Sequence, residues 1–438
     1  MNNCNQSAEV LNGIVNKIGH FNINVSDAEY ACVGVIEQEK GRVLLQCELP
    51  IDVAEKVYHF EQPFKILGYV SNTPITLYKP HVDSYQTQGF NPINALVFFS
   101  ANYLIVGYAE KTDIRVHDIS LSSSDINWFF SRHPISHDNR TDREIIENLD
   151  SIETSDNVGK IKIHQSLAEG MSNKSLHINI FTVLSCDFNT CVDLDSAINR
   201  LASLRNMMSF FFDGYIPLDN ICISDKKEPK TIEEYAEYTE YTIVNTHPEK
   251  PSSQDKPFFI NADIIRDCFN QVWKNWTDLY TQARPMTALF YGIISGVSSG
   301  LNEYLNMAQA LEVYSNRYRT EQIRKAYNKT KKEKVFLSER LKDLIDSYNN
   351  HLGVLDAGAL AQKLSDIRNY YTHYNSRKFK QEPKYDVVLS GSYILRSLLL
   401  LVVYSELGIP SDKLSKAKEL GFIRDFDAYC DVVIGNKL

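Results

Sequence analysis

Arg368, Asn369 and His373 stand close together in the stretch LSDIRNYYTHYNSRKF, residues 364–379, and between them they carry what breaking a phosphodiester requires. A guanidinium presents a planar fork of donors to phosphate oxygens, an amide can orient a neighbour, and an imidazole titrating near pH ~6.5 can take or give a proton. The spacing predicts a helix. At about 100° per residue, Asn369, Thr372, His373 and Ser376 gather on one polar face, while Leu360, Leu364, Ile367, Tyr371 and Tyr374 form an apolar stripe. Arg368 flanks the polar face, its Cα about 140° around from His373, and its side chain is long enough to reach the imidazole. The same Arg-to-His kind of pairing occurs in RHPISH, from Arg132 to His137. Pro134 forbids a continuous helix there, and the surroundings are acidic and strand-rich, so this pair is expected to be incidental.

A polyanionic substrate would find a second contact in RYRTEQIRKAYNKTKKEK, residues 317–334, where eight cations face only Glu321 and Glu333. Interleaved basic and aromatic residues suit phosphate contact with base stacking, against the plainer reading of a solvated helix face. Arg317, Arg319, Arg324, Lys325 and Lys329 are the candidates from this stretch, joined by Arg377 and Lys378 just after His373. Tyr370, Tyr371 and Tyr374 read as core or interface residues before they read as stacking platforms. No Asp/Glu/His cluster at ligand spacing appears in 258–438, and the chain has no Gly-rich phosphate loop or nucleophile elbow. No metal and no other cofactor is therefore expected.

The elements that must position these groups differ between the two ends of the chain. At 438 residues, with 43% hydrophobic and 11% aromatic content, two or three globular domains are expected. Residues 256–438 hold 26 Lys+Arg against 20 Asp+Glu, a charge of +6, whereas residues 1–255 carry −15. The division falls at THPEKPSSQDKP, residues 246–257, a composition typical of linkers. Before it, ACVGVIEQEKGRVLLQCEL, FKILGYVSNTPITLYKPHV, NALVFFSANYLIVGYAE and SLHINIFTVLS read as strands of an antiparallel sandwich or partial barrel. One helix, 193–212, interrupts them, with Leu194, Ile198, Leu201, Leu204 and Met208 on one face and Asp193 or Asp195 as cap.

After the division the period is 3.6 almost throughout, in ADIIRDCFNQVWKNWTDLY, GLNEYLNMAQALEVYSNRY, VFLSERLKDLIDSYNNHL, AGALAQKLSDIRNYYTHYN and DVVLSGSYILRSLLLLVVYSEL. The expectation is thus an α+β multidomain chain: a β-rich domain over 1–250, regulatory or sensing, followed by an all-α bundle over 258–438. The apolar run LRSLLLLVVY is too short for a bilayer and reads as a buried core helix. The N-terminal MNNCNQSAEV lacks the pattern of a signal peptide, and eight scattered cysteines read as free thiols of a cytoplasmic protein with no membrane partner.

RNYYTH resembles the Arg, polar residue, three residues, His signature of the HEPN superfamily of helical ribonucleases. More narrowly, 258–438 is similar to the HEPN domain of the ApeA-type abortive-infection proteins. LNEYLNMAQALEVYSNRY resembles their earlier bundle helix and LSDIRNYYTHYN their motif helix, while DLDSAINRLASLRNMMSFFFDGYIPLDNICI is similar to the end of their N-terminal β-rich domain. The resemblance implies metal-independent cleavage of host RNA, often tRNA, in bacterial anti-phage defence. Arg368, Asn369 and His373 would be catalytic through attack of the RNA 2′-hydroxyl, with Glu312 and Thr372 as supporting residues. It implies as well a homodimer, or a higher homo-oligomer, whose motif helices face each other, and a phage-derived activator. The acidic domain is expected to restrain the nuclease, so that 256–438 alone would be the more toxic. Two alternatives remain open at this point: a HEPN bundle that binds a partner without cutting, and a ligand-binding β-domain with a helical oligomerisation tail.

Overall fold

The computed structural model describes residues 6–25, 28–39, 42–60, 64–87, 93–110, 113–123, 126–130, 135–138, 143–146, 149–172, 175–218, 220–226, 240–245, 259–373, 382–414 and 425–435. The stretch 246–257, expected to be a linker, lies outside them. The chain divides into two compact units: Met1–Asn127, Pro134–Leu204 and Pro217–Lys250 in one, Trp128–His133, Arg205–Ile216 and Pro251–Leu438 in the other. The architecture is the expected α+β one, an antiparallel β-rich unit in the N-terminal part of the chain and a helical unit in the C-terminal part.

The β-rich unit is built around a closed barrel. β1 (Ile18–Val25), β2 (Ala28–Glu39), β3 (Arg42–Pro50), β6 (Asn94–Val106), β5 (Thr73–Thr87) and β4 (Lys65–Val70) pair in that spatial order, and β4 returns to β1. Closure removes the free edges that an open sheet would expose. Alternate residues point inward: Phe21, Ile23, Ile36, Leu45, Val97 and Phe99 form the core, joined by Leu11 and Ile14 of α1 (Gln6–Ile14) and Val53, Ala54 and Val57 of α2 (Ile51–Tyr58). Gly68 faces Phe21 across the β1–β4 ladder, and a Cβ there would collide with the Phe21 ring.

Beyond Ser100 the side of β6 that pairs with β3 passes to β14 (Glu240–Asn245), through which β13 (Ile221–Ser224), β7 (Arg115–Ser123), β12 (Ser175–Asp193), β11 (Gly159–Ser172) and β10 (Ser151–Ser155) continue the sheet. β8 (Ile135–Asp138) and β9 (Arg143–Ile146) form a separate hairpin that carries His137; Arg132 and Pro134 lie outside the described residues. Cys47, Cys186, Cys222 and Cys430 are buried free thiols.

At the end of β12 the Asp193 carboxylate accepts the Ser196 N–H at 2.9 Å and caps α3 (Leu194–Phe212), the helix expected over 193–212. Its residues up to Leu204 belong with the β-rich unit and those from Arg205 with the helices. The physical reason lies in its last turns. In the helical unit the Phe210 ring stacks on Phe290 at 4.0 Å, the Phe210 carbonyl accepts the Tyr404 hydroxyl, and Asp213 accepts from Arg396 at 2.7 Å.

The helical unit then runs through α4 (Ala262–Ile265), α5 (Phe269–Gln282), α6 (Arg284–Ile294), α7 (Leu301–Tyr318), α8 (Thr320–Ala326), α9 (Leu337–Leu352), α10 (Ala357–Thr372), α11 (Tyr385–Glu406) and α12 (Phe426–Gly435). α11 is long and apolar enough to cross a membrane by length and composition, and it is the core of this unit, buried over most of its length. At Gly391 it meets Tyr304 of α7, whose hydroxyl donates to the Leu364 carbonyl of α10 at 2.6 Å. That bond fixes α10 one turn before Arg368. A Cβ at 391 would stand 2.6 Å from the Tyr304 ring. Gly391→Val is therefore expected to destabilise the protein by about 1–3 kcal/mol despite its better helix propensity, measurable by urea unfolding.

Candidate active site

α10 begins at Asp356, whose side chain accepts the Ala359 N–H at 2.8 Å, and presents Leu360, Leu364 and Ile367 to the core. It stops at Thr372, three residues short of the expected Asn375. The Thr372 hydroxyl donates to the Arg368 carbonyl at 2.9 Å, and the His373 N–H still closes a bond to the Asn369 carbonyl at 2.9 Å. His373 itself has left helical geometry, with φ −138° and ψ 46°. Thr, His, Tyr and Asn in succession are poor helix formers, and a Thr hydroxyl that bonds back along the chain competes for the last carbonyls. His373 is the exposed cap of the helix, still tied to Asn369 by its backbone bond.

The cap brings the three groups together through Arg368. Its Nη1 lies 3.3 Å from His373 Nε2 and 3.3 Å from Asn369 Oδ1, while its Nη2 meets Glu312 Oε2 of α7 at 3.4 Å. A guanidinium only donates, so it is the lone pair of Nε2 that faces Arg368. The Asn369 oxygen receives the guanidinium, and its Nδ2 donates to Ser365 Oγ at 3.4 Å. Thr372 stays on its own helix. The Arg368 and Glu312 side chains are 24% and 30% exposed, so an incoming anion can reach the pair. The result is a cation held at the surface by one carboxylate and one amide, beside an exposed imidazole. Such a group can receive phosphate oxygens while the imidazole moves a proton.

The basic stretch divides. Arg319 forms an ion pair with Asp343 and donates to Ser347 at 2.5 Å. Arg324 bonds Glu321 at 2.8 Å and the Lys331 carbonyl at 3.1 Å; Lys329 pairs with Glu339, donates to the Lys334 carbonyl and lies over the Phe336 ring. Arg324 and Lys329 thus tie down the connection between α8 and α9, and Arg319 ties the start of α8 to α9 itself. Arg317 and Lys325 are exposed, and Arg377 and Lys378 lie outside the described residues. Tyr371 donates to Glu382 at 3.4 Å. Among the described residues no three His, Cys, Asp or Glu side chains are grouped to hold a metal ion.

Two neighbours of the site were not anticipated. Ser365 sits one turn before Asn369. Arg340 is a buried cation on the face of α9 otherwise made by Leu337, Leu341, Leu344 and Tyr348, and a charge on an apolar stripe is the signal that could have found it.

A family model described as ApeA N-terminal domain 1 matches residues 16–276, and one described as Apea-like HEPN matches residues 305–413, the span that contains Glu312, Arg340, Arg368, Asn369 and His373. No curated protein matches. A solved structure described as pT26-6p aligns with 96% of this chain and 83% of its own at 8% identity, with a TM-score of 0.15, too low to carry any argument. The first match spans nearly all of the β-rich unit and runs on into α5, the second lies within the helical unit, and the chain belongs to the ApeA-type family of abortive-infection defence proteins with a C-terminal HEPN domain.

Proposed function

We propose that this protein is a ribonuclease that cuts host RNA, tRNA foremost, when a phage component activates it in the cytoplasm. The observation that supports the reading is the Arg368 guanidinium held between Glu312, Asn369 and His373. An RNA substrate brings its own nucleophile. One imidazole takes the proton from the 2′-hydroxyl as its oxygen bonds to phosphorus, Arg368 neutralises charge on the phosphoryl oxygens, and the 5′-oxygen leaves with a proton supplied by a general acid. The products are a 2′,3′-cyclic phosphate and a 5′-hydroxyl. Each chain offers one such imidazole, so the acid is assigned to His373 of a second copy in a homodimer.

The test uses the purified protein with total RNA in the presence of EDTA. Cleavage is expected to persist and to leave 2′,3′-cyclic ends, and a 2′-O-methyl group at the cut site should block it. Cutting of the methylated RNA, or of DNA, would show that another nucleophile is at work.

A further inference from the structure

The basic connection between α8 and α9 lies at the same end of the bundle as Arg368 and His373. α9 and α10 are each 16 residues long and pack along one another, and only residues 353–356 join them. The turn is fixed by Gly353, left-handed at φ 71°, and by the Asn349 side chain, which donates to the Val354 carbonyl at 3.0 Å and accepts the Val354 N–H at 2.7 Å. Equal lengths about a short turn set the first turn of α9 beside the last turn of α10. The bonds to α7 carry the same alignment. Arg368 of α10 meets Glu312 at 3.4 Å, and Arg340, one turn into α9, donates to Ser315 at 3.3 Å, three residues further along α7. Arg340 also donates to Thr320 at 3.1 Å, which holds the start of α8 at this end.

What this end displays is cationic. Lys325, Lys331, Lys332 and Lys334 are exposed, and their ammonium groups have no ion pair among the described residues. The two acids of the stretch are engaged: Glu321 receives Arg324 at 2.8 Å, and Glu333 accepts the Thr330 N–H at 2.6 Å. Arg324 and Lys329 hold the connection by its backbone, through the Lys331 carbonyl at 3.1 Å and the Lys334 carbonyl at 2.8 Å, so the lysine side chains there stay in solvent. Among them stand two aromatic rings, Tyr327, 39% exposed, and Phe336, 55% exposed. An acidic protein segment would satisfy the lysines alone; a nucleic-acid strand offers phosphates to the cations and base faces to the rings. We propose that residues 325–336 form a docking subsite for the RNA strand next to the phosphate being cut, in which Lys325, Lys331, Lys332 and Lys334 hold backbone phosphates and Tyr327 and Phe336 stack unpaired bases. The inference rests on the ribonuclease reading for what happens to the bound strand, but RNA binding at this surface does not require cutting.

The experiment measures binding of bulk tRNA to the full chain carrying His373→Ala, which keeps the RNA whole, by fluorescence anisotropy between about 0.1 M and about 1 M salt. Three sets of substitutions are compared in that parent: Lys331→Gln with Lys332→Gln and Lys334→Gln; Tyr327→Leu with Phe336→Leu; and, as a control that removes the same charge elsewhere, Lys17→Gln with Lys56→Gln and Lys274→Gln, all exposed. Losing three phosphate contacts should flatten the slope of log affinity against log salt by about 2 and weaken binding on the order of 10–100-fold at about 0.1 M salt. The aromatic variant should bind on the order of 10-fold more weakly at every salt concentration, because stacking releases no counterions. The control should bind as the parent does. With His373 restored, the lysine and aromatic variants should raise the KM of RNA cleavage and keep kcat within about twofold.

Unchanged affinity and slope in the lysine variant would overturn the proposal, as would an equal loss in the control. An aromatic variant that binds at the parent's strength would overturn it too, and would leave a surface that takes any polyanion, an acidic protein segment included. If the unsubstituted protein cuts no RNA while these binding differences appear, the ribonuclease reading falls and the docking subsite stands. Should Phe336→Leu disturb the start of α9, Tyr327→Leu alone carries the stacking readout.

Discussion

His373→Ala is expected to abolish RNA cleavage, with a loss of roughly 10²–10⁴-fold, the usual worth of a positioned acid–base group. Arg368→Ala should fall in the same range, because it removes the donors that meet the charge developing on the phosphoryl oxygens. Neither change should unfold the protein. His373 is an exposed helix cap, where an imidazole contributes at most about 1 kcal/mol through the C-terminal carbonyls. The Arg368–Glu312 pair, 3.4 Å apart and partly exposed, is of the weak surface kind. Thermal melts alongside cleavage assays separate lost chemistry from lost fold. His137→Ala, in the β8–β9 hairpin of the other unit, should cut RNA at the normal rate. Loss of activity at His137 with activity kept at His373 would move the site to the β-rich unit. Subunits carrying His373→Ala mixed with subunits carrying Arg368→Ala would show whether one site draws on two copies.

A fragment starting at residue 256 is expected not to fold, which bears on any attempt to free the helical unit from the acidic part of the chain. Such a cut removes Phe210, Phe211 and Phe212, all buried, together with the Phe210 carbonyl that receives Tyr404. Losing a buried Phe side chain costs about 3–5 kcal/mol. It also strips Asp213 from Arg396, whose fork bonds the Asp213 carboxylate at 2.7 Å and carbonyl at 3.3 Å and keeps only Glu303 at 3.1 Å afterwards. Breaking a largely buried pair in this way costs up to about 3–5 kcal/mol. With three phenylalanines the losses reach about 12–20 kcal/mol, the scale of the ~5–15 kcal/mol that holds a domain folded. A fragment beginning at Leu194, which keeps α3, is expected to recover a cooperative transition in circular dichroism. A soluble 256–438 fragment melting within a few degrees of the full chain would refute this. The expected restraint by the acidic domain can be tested only with a cut that leaves α3 in place.

Much of the secondary structure was legible in the order of residues. The 3.6 period marked α7, α9, α10 and α11 to within a few residues, and Asp193 before an apolar stripe announced α3, because periodicity and capping act within one or two turns of the chain. Arg368, Asn369 and His373 are near neighbours in sequence, so their meeting at one helix end follows from the same local rules. Partner choice over longer spans was not legible. Closure of the barrel depends on β4 returning to β1, and a strand's alternation says which face is buried but not which strand it meets. The last turns of α3 joined the helices because three phenylalanines fit there, a matter of shape complementarity that composition does not express. Whether a cation faces solvent or a carboxylate was decided the same way. Arg319, Arg324 and Lys329 look identical in sequence to Arg317 and Lys325, yet packing α8 and α9 against α7 brought Asp343 and Glu339 to the first and third of them, just as folding brought Glu312 to Arg368 across 56 residues.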